Sequence, residues 1–328
     1  MDKSQEQLYQ EHLSALHDVA ANYWQQQKDL VREDLASIRI LKHTGGKIMG
    51  VLPQYRDFKP VFAKVYFYDR GFQFESEGLS AANRLGPVND VSTPTLVRII
   101  QEKRAILTEK EDWHDTSTPI KRFFVNSLGI DWFRVGSWLR RFHDSKTSYE
   151  KNEYFLHKKF EKLNAHLDTL RNMFTPIELE KINSVLCSAK DFFETQTCEW
   201  VISHGDFGLD NIKKANESLY VIDFEDCQMA PREFDILNCL VRLDYVDGFP
   251  HRRGVYKDVI QQFESGYGRE ISHSKVFNMF YLFIKLDLLE TYQRRRNIQN
   301  CLTPQLIIYS LFSMANHKKL TFWLSEMK

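Results

Sequence analysis

The 328-residue chain is poor in the features that mark several protein classes. It has five cysteines (Cys187, Cys198, Cys227, Cys239 and Cys301), an odd number with no C-x-x-C spacing. That argues against a disulfide framework or a zinc cluster and fits a reducing compartment. An excess of either charge is missing too, since Lys+Arg and Asp+Glu are both 44. General nucleic-acid and anionic-membrane binders carry a basic surplus, so no nucleic-acid partner is expected. The longest apolar run near the end, Leu306 to Phe312, falls well short of the roughly 20 residues of a membrane span. The opening stretch MDKSQEQLYQEHLSALHDVAANYW lacks the apolar core of a secretory signal. No internal repeat or low-complexity tract occurs. These absences predict a soluble, cytoplasmic protein, and nothing in the sequence signals an oligomeric state.

What is present is enough apolar content, 43%, to build a core, on a chain long enough for two lobes. Leu13, Leu16, Ala20 and Tyr23 step by three and four, which predicts an amphipathic helix packed on the first lobe. From about residue 37 to 110 the chain reads as strand-rich. SIRILKH and VFAKVYFYD carry β-branched and aromatic residues, with the glycines of HTGGKIMG between them. FESEGLSAANRLG reads as a helix ended by Gly86, and LVRII and AILTE as a hairpin about QEKR. Beyond residue 120 the pattern turns helical. GIDWFRVGSWLRRFHDS is one helix, and Phe160, Leu163, Leu167, Leu170 and Phe174 mark the next. Thr175-Pro-Ile-Glu178 is a capping box that opens another, and Thr303-Pro304 opens the last long helix. This predicts a helical extension over 1–36, a small strand-rich lobe over 37–112 and a larger helical lobe over 113–328.

Inside the helical part lies SHGDFGLDNIKKANESLYVIDFED, residues 203–226. His204, Asp206 and Asn211 fit H-x-D-x-x-x-x-N, and Asp223-Phe224-Glu225 follows one short hairpin later. Phosphoryl transfer from a nucleotide needs a group to orient and deprotonate a hydroxyl, hard oxygen ligands for magnesium, and a cation on the phosphates. Asp206 suits the first task. Asn211 and Asp223, on the two arms of one hairpin, suit the second. Their order is that of the protein-kinase set. A group of turn-forming polar residues is the bland alternative, and the ordered spacing weighs against it.

HGDFGLDNI with VIDFEDC and EFDIL resembles the aminoglycoside phosphotransferase and choline kinase superfamily. The glycine after the motif histidine favours this branch over true protein kinases. The resemblance implies an α+β, protein-kinase-like two-lobed fold, with a β-rich N-lobe that binds ATP and a helical C-lobe. It also implies Asp206 as catalytic base, Asn211 and Asp223 as Mg2+ ligands that thereby hold the nucleotide, and Asp235 as a structural aspartate. His143, in WLRRFHDS, matches a structural histidine of the family. Lys64, in VFAKVYF, would then reach the α- and β-phosphates. Its ion-pair partner would be Glu75 or Glu77, with the family pattern closer to Glu75. Gly45, Gly46 and Gly50 depart from G-x-G-x-x-G and form either a phosphate-covering turn or an ordinary hairpin turn. AILTEK would be the strand and hinge at the adenine, with partners near Glu109.

The expected activity is ATP- and Mg2+-dependent transfer of the γ-phosphoryl group to a hydroxyl of a small-molecule metabolite. A catalytically silent nucleotide-binding or scaffold protein is one alternative, and an aminoglycoside-modifying resistance kinase is another. A protein kinase would need a long activation segment, and MAPREFDIL follows the Asp-Phe pair too closely for one. For the acceptor, Asp244, Asp247, Asp287 and Glu290 stand among Tyr245, Phe249, Tyr281 and Tyr292. Arg252-Arg253 and Arg294-Arg295-Arg296 would repel a polycation if they faced the cleft, so a neutral or modestly charged acceptor is expected.

Overall fold

The computed structural model describes residues 5–25, 38–44, 46–52, 59–112, 130–243, 255–270, 274–298 and 304–327. The first part runs α1 (Gln5–Gln25), β1 (Arg39–His43), β2 (Lys47–Leu52), β3 (Val61–Tyr66), α2 (Asp69–Leu85), β4 (Val91–Ser92), β5 (Leu96–Ile100) and β6 (Ala105–Glu109). Five of these strands make one antiparallel sheet in the order β1-β2-β3-β6-β5. Leu16, Val19, Ala20 and Tyr23 of α1 bury against Ile48, Leu52, Ala63 and Leu107 of that sheet, as their spacing predicts.

Two boundaries differ from the sequence reading. KIMGVL, whose glycine suggested a connection, is strand β2 and pairs along its length with β3. A Cβ on Gly50 would stand 2.9 Å from Leu16 Cδ2, so the bare glycine lets α1 approach the strand. Gly50 therefore serves helix packing and not a phosphate turn. Helix α2 begins at Asp69, five residues before Phe74, because Gly71 in its first turn hides the helical signal. It ends as expected at Gly86, whose φ is 70° and whose N–H bonds the Asn83 carbonyl at 3.2 Å.

The second part runs α3 (Trp132–Asp144), β7 (Thr147–Ser148), α4 (Glu153–Leu170), α5 (Pro176–Thr195), β8 (Trp200–Ser203), β9 (Ile212–Ala215), β10 (Ser218–Val221), β11 (Gln228–Pro231), α6 (Arg232–Leu240), α7 (Val255–Tyr267), α8 (Lys275–Ile298) and α9 (Pro304–Glu326). The capping box holds: Glu178 N donates to Thr175 Oγ1 at 3.3 Å and Thr175 N to Glu178 Oε2 at 2.8 Å. Such a cap contributes on the order of 1 kcal/mol. The motif hairpin β9–β10 takes β4 as a parallel neighbour, and β8 lies between β7 and β11.

Beneath the hairpin, Trp138 stacks on Phe142 at 5.2 Å and on Phe207 at 6.0 Å, and Phe142 meets Phe224 at 5.7 Å. All four rings are fully buried. Phe207 and Phe224 each flank a motif aspartate, so this packing ties the two loops to α3. The expected lobe boundary at 112/113 adjoins residues 113–129, which lie outside the described residues, as do Gly45 and Thr303.

Candidate active site

The loop after β8 is anchored by Asp235, from the first turns of α6. Its carboxylate accepts from His204 N at 2.6 Å and Gly205 N at 3.0 Å, and meets His143 Nε2 at 3.1 Å. Burial alone would raise this carboxyl, but His143 and the loop amide hold it below its ordinary range. His143 continues to Tyr267 Oη at 2.8 Å, which Arg232 also donates to at 3.2 Å. Gly205 has φ 86°, and a Cβ there would meet the Asp226 carbonyl at 2.1 Å. Only glycine lets the loop after β8 pass so close to the loop after β10.

His204 turns inward and bridges these two loops. Its Nε2 sits 2.9 Å from the Ile222 carbonyl and its Nδ1 3.4 Å from Asp206 N. These partners assign the proton to Nε2. Asp206 points out of the loop, its side chain 43% exposed, with Oδ1 taking a hydrogen bond from Arg242 Nη2 at 3.0 Å. Asn211 Nδ2 donates to the Asp206 carbonyl at 2.8 Å and lies 3.2 Å from Oδ2. That use of the amide nitrogen leaves the amide oxygen as the atom of this side chain that could take a cation. Ile222 N bonds the Asn211 carbonyl at 3.0 Å, which sets Asn211 beside Asp223 across the hairpin.

Asp223 adopts φ 69°, a left-handed conformation that costs a non-glycine residue about 1 kcal/mol or more. Its carboxylate is met from the N-lobe. Lys64, on β3, reaches Asp223 Oδ1 at 2.8 Å and Glu75 of α2 at 2.7 Å and 3.0 Å. Glu75 is thus the partner, also bound by the Tyr66 hydroxyl, while Glu77 faces outward to Lys146. Burial opposes the Lys64 charge, but Asp223 and Glu75 together raise its pKa above the ordinary amine value. Burial also opposes the Asp223 charge, and Lys64 and Lys47 overcome it, holding that carboxyl well below its usual range. Glu75, the most enclosed of the three, is pushed up by burial.

Lys64, Glu75 and Asp223 share a narrow cavity with Met49, Phe62, Ile106 and Thr108 from the sheet and Ile222 from the hairpin. Apolar walls with a charged end suit a nucleotide base followed by phosphates. Glu109 stands at the end of β6. Its amide bonds the Thr95 carbonyl at 2.9 Å and its carboxylate takes Lys59 at 2.9 Å. Gly46 lies in the β1–β2 turn, where its amide bonds Thr44 Oγ1 at 3.3 Å.

Three site residues were missed by sequence reasoning. Lys47 binds Glu225 and stands 3.8 Å from Asp223 Oδ1, but its strand was read as a connection. Tyr66 sits two residues from Lys64 with no motif to mark it. Arg242 did carry a signal: Asp235, Asn238 and Arg242 step by three and four, which sets Arg242, in the turn just past α6, on the side of the helix turned to the loop. In the expected acceptor region, Asp244, Tyr245, Asp247, Phe249 and Arg252-Arg253 lie outside the described residues, as do the side chains of Arg295 and Arg296. Asp287 is engaged by Lys162 at 2.7 Å, Glu290 by His166, and Tyr281 by Trp323 with centroids 4.8 Å apart. Tyr292 is buried.

The site's donors can be tested against a magnesium ion. Carboxylate oxygens of Glu75, Asp223 and Glu225 lie within 4.8 Å of one another, with Asn211 beside them on the hairpin. All are hard oxygen donors, and Asp223 keeps its charge, so the set fits.

Residues 116–270 match the sequence model of a phosphotransferase enzyme family. Among curated proteins, none matches the chain by sequence. Solved structures with this fold include a choline/ethanolamine kinase family protein from Mesorhizobium loti (TM-score 0.55, 12% identity, covering 94% of this chain and 95% of that one). A spectinomycin phosphotransferase solved with ADP and spectinomycin gives TM-score 0.54 at 15% identity over 88% and 93% of the two chains. Wild-type aminoglycoside 2'-phosphotransferase-IIIa, solved with GDP, gives 0.56 at 13% over 93% and 99%. The match to a phosphotransferase family over residues 116–270, just under half of the chain, joined to a kinase-like fold shared along nearly all of it, supports the aminoglycoside phosphotransferase and choline kinase superfamily.

Proposed function

We propose that the protein is an ATP- and Mg2+-dependent kinase that phosphorylates a hydroxyl of a small-molecule metabolite. One observation carries the reading: Lys64, paired with Glu75, reaches across the lobes to Asp223, beside Asn211 and the Asp206 loop. A silent scaffold has no need of all these groups at one cleft.

In this reading Asp206 accepts the proton of the acceptor hydroxyl. The freed oxygen bonds to the γ-phosphorus as the bond from that phosphorus to the bridging oxygen breaks, and ADP leaves. Arg242 keeps the Asp206 carboxylate turned outward while Asn211 fixes the loop around it. Lys64 would hold the α- and β-phosphates once they displace the Asp223 carboxylate from its ammonium. Asn211 and Asp223 would hold Mg2+, which when bound would supply charge neutralisation for the transferring phosphoryl group. Lys47 and Glu225 would line that same edge, and the sheet face around Met49 and Ile106 would take the base.

Asp206→Asn should lower turnover on the order of 10²–10⁴-fold, the usual cost of a lost general base. ADP affinity should stay within a few fold, since the base touches the acceptor. Full activity in that variant would remove Asp206 from the mechanism. Asp223→Ala should abolish the magnesium dependence of ADP binding, read by calorimetry with and without the ion. Undiminished dependence would transfer the ligand role to Glu225.

A further inference from the structure

A second, larger cavity of about 880 Å³ adjoins the nucleotide cleft, and Lys42 and Lys47 line both. Its walls are the β1–β2 turn, the start of α2, one face of α4 and the segment after Asp223. Six cationic side chains line it against three acidic ones, in a chain whose overall charge is zero. Three of the six already have carboxylate partners: Lys47 with Glu225, Lys158 with Glu161 at 2.7 Å, and Lys162 with Asp287 at 2.7 Å. Lys42, Arg70 and Lys159 make no ion pair among the described residues.

The last two are nonetheless held in place. Arg70 lies over the Tyr154 ring at 4.0 Å and over Phe74 at 4.9 Å. The Lys159 amine rests over Phe234 at 4.2 Å, Phe283 at 5.1 Å and Phe155 at 5.2 Å. Aromatic faces position a cation without cancelling its charge as a carboxylate does. One of these cations comes from each lobe, so they converge only across the cleft. The cavity also reaches the motif loops, since Asp226 in its wall packs against Gly205, one residue before Asp206, and Lys47 in its wall stands 3.8 Å from Asp223 Oδ1.

We propose that the acceptor carries an anionic group, a phosphate or a carboxylate, which Arg70, Lys159 and Lys162 bind in this cavity while its hydroxyl meets Asp206. The inference rests on Asp206 being the base of a kinase. Charge decides it: a polyamine acceptor or a quaternary ammonium group would enter a cavity lined by six cations against three acids, two of which, Glu225 and Glu161, are already paired to Lys47 and Lys158. Among the described residues the cationic excess comes from β1, β2, the start of α2 and α4.

The test is calorimetric titration of the full-length protein saturated with Mg-ADP. The probes are glycerol 3-phosphate, glycerate, glycerol and choline, all of which carry a hydroxyl. The two anions should bind at least ten-fold more tightly than glycerol or choline. Arg70→Ala and Lys162→Ala, both on exposed parts of the cavity, should each weaken anion binding about ten-fold with ADP affinity within two-fold. Lys159→Met should do the same, with its melting temperature measured to confirm folding. Anions that bind no better than glycerol, or that bind all three variants equally well, would overturn the proposal. So would a loss of ADP affinity in the variants, which would assign these cations to the nucleotide's own phosphates. A wild-type protein that binds no ADP would instead sink the kinase reading on which the proposal rests.

Discussion

Lys64 is buried and Lys159 half-buried, one in each lobe, and their surroundings are opposite. Lys64 is enclosed by carboxylates, Glu75 and Asp223, within 3.0 Å. Lys159 lies over three aromatic rings, with Asp226 acting on it from farther away. Desolvation weakens the charge of both. It is overcome at Lys64, whose pKa rises, and it wins at Lys159, whose pKa falls to about 8. A lysine neutralised by its own protein latches together the elements it joins. A lysine left uncompensated is a cost to the fold, which an anionic ligand would remove.

The comparison breaks most visibly at Lys64. Lys64→Met leaves Glu75 buried and Asp223 strained without its main partner, which should cost about 3–5 kcal/mol of stability. Urea unfolding at neutral pH measures it, and a loss below about 1 kcal/mol would mean the pair does not hold the lobes. Turnover should fall as well, because the phosphates lose their cation. Adding Glu75→Gln to Lys64→Met should recover part of the loss, with a coupling of about 1–3 kcal/mol, since it removes the orphaned carboxylate. A strictly additive double variant would show that Glu75 and Lys64 act separately.

Legibility in the sequence divides along the same line. Asp206, Asn211 and Asp223 lie within one hairpin, so spacing alone groups them, and that motif then selects Lys64 and Glu75 by their order in the chain. Local signals also gave the helices: Thr175 and Glu178 cap α5, and Leu163 and Leu170 mark the buried face of α4. The cavity cations could not be read this way. Lys42, Arg70 and Lys159 are more than a hundred residues apart at the extremes and meet only when the lobes dock. Alone, each looks like a solvated surface charge. KIMGVL was lost for a related reason, because the partner that makes Gly50 acceptable in a strand is Leu16, in another element. Arg242 carries a signal in its spacing from Asp235 and Asn238, but it lies in the turn past the end of α6, outside the motif itself.

The finest distinction between the two lysines is the sign of their effect on stability. Lys159 has a folded pKa near 8, below the ordinary 10.5, so between those values the unfolded chain holds a proton that the folded one has released. Stability therefore rises with pH across that window, and at pH 7 the charged amine weakens the fold. Lys64 works in the other direction. Its raised pKa contributes stability that is complete below 10.5 and lost only as pH climbs through the folded value. Lys159→Met keeps the stem over the rings and removes the charge, so it should stabilise the protein at pH 7, on the order of 1 kcal/mol. The gain should shrink from pH 8 to pH 10 as the wild-type amine loses its proton. Urea midpoints of both proteins at pH 7, 8.5 and 10 resolve this. A variant that is less stable than wild type at every pH would show that Asp226, not the rings, governs Lys159, and that its charge is already neutralised within the protein.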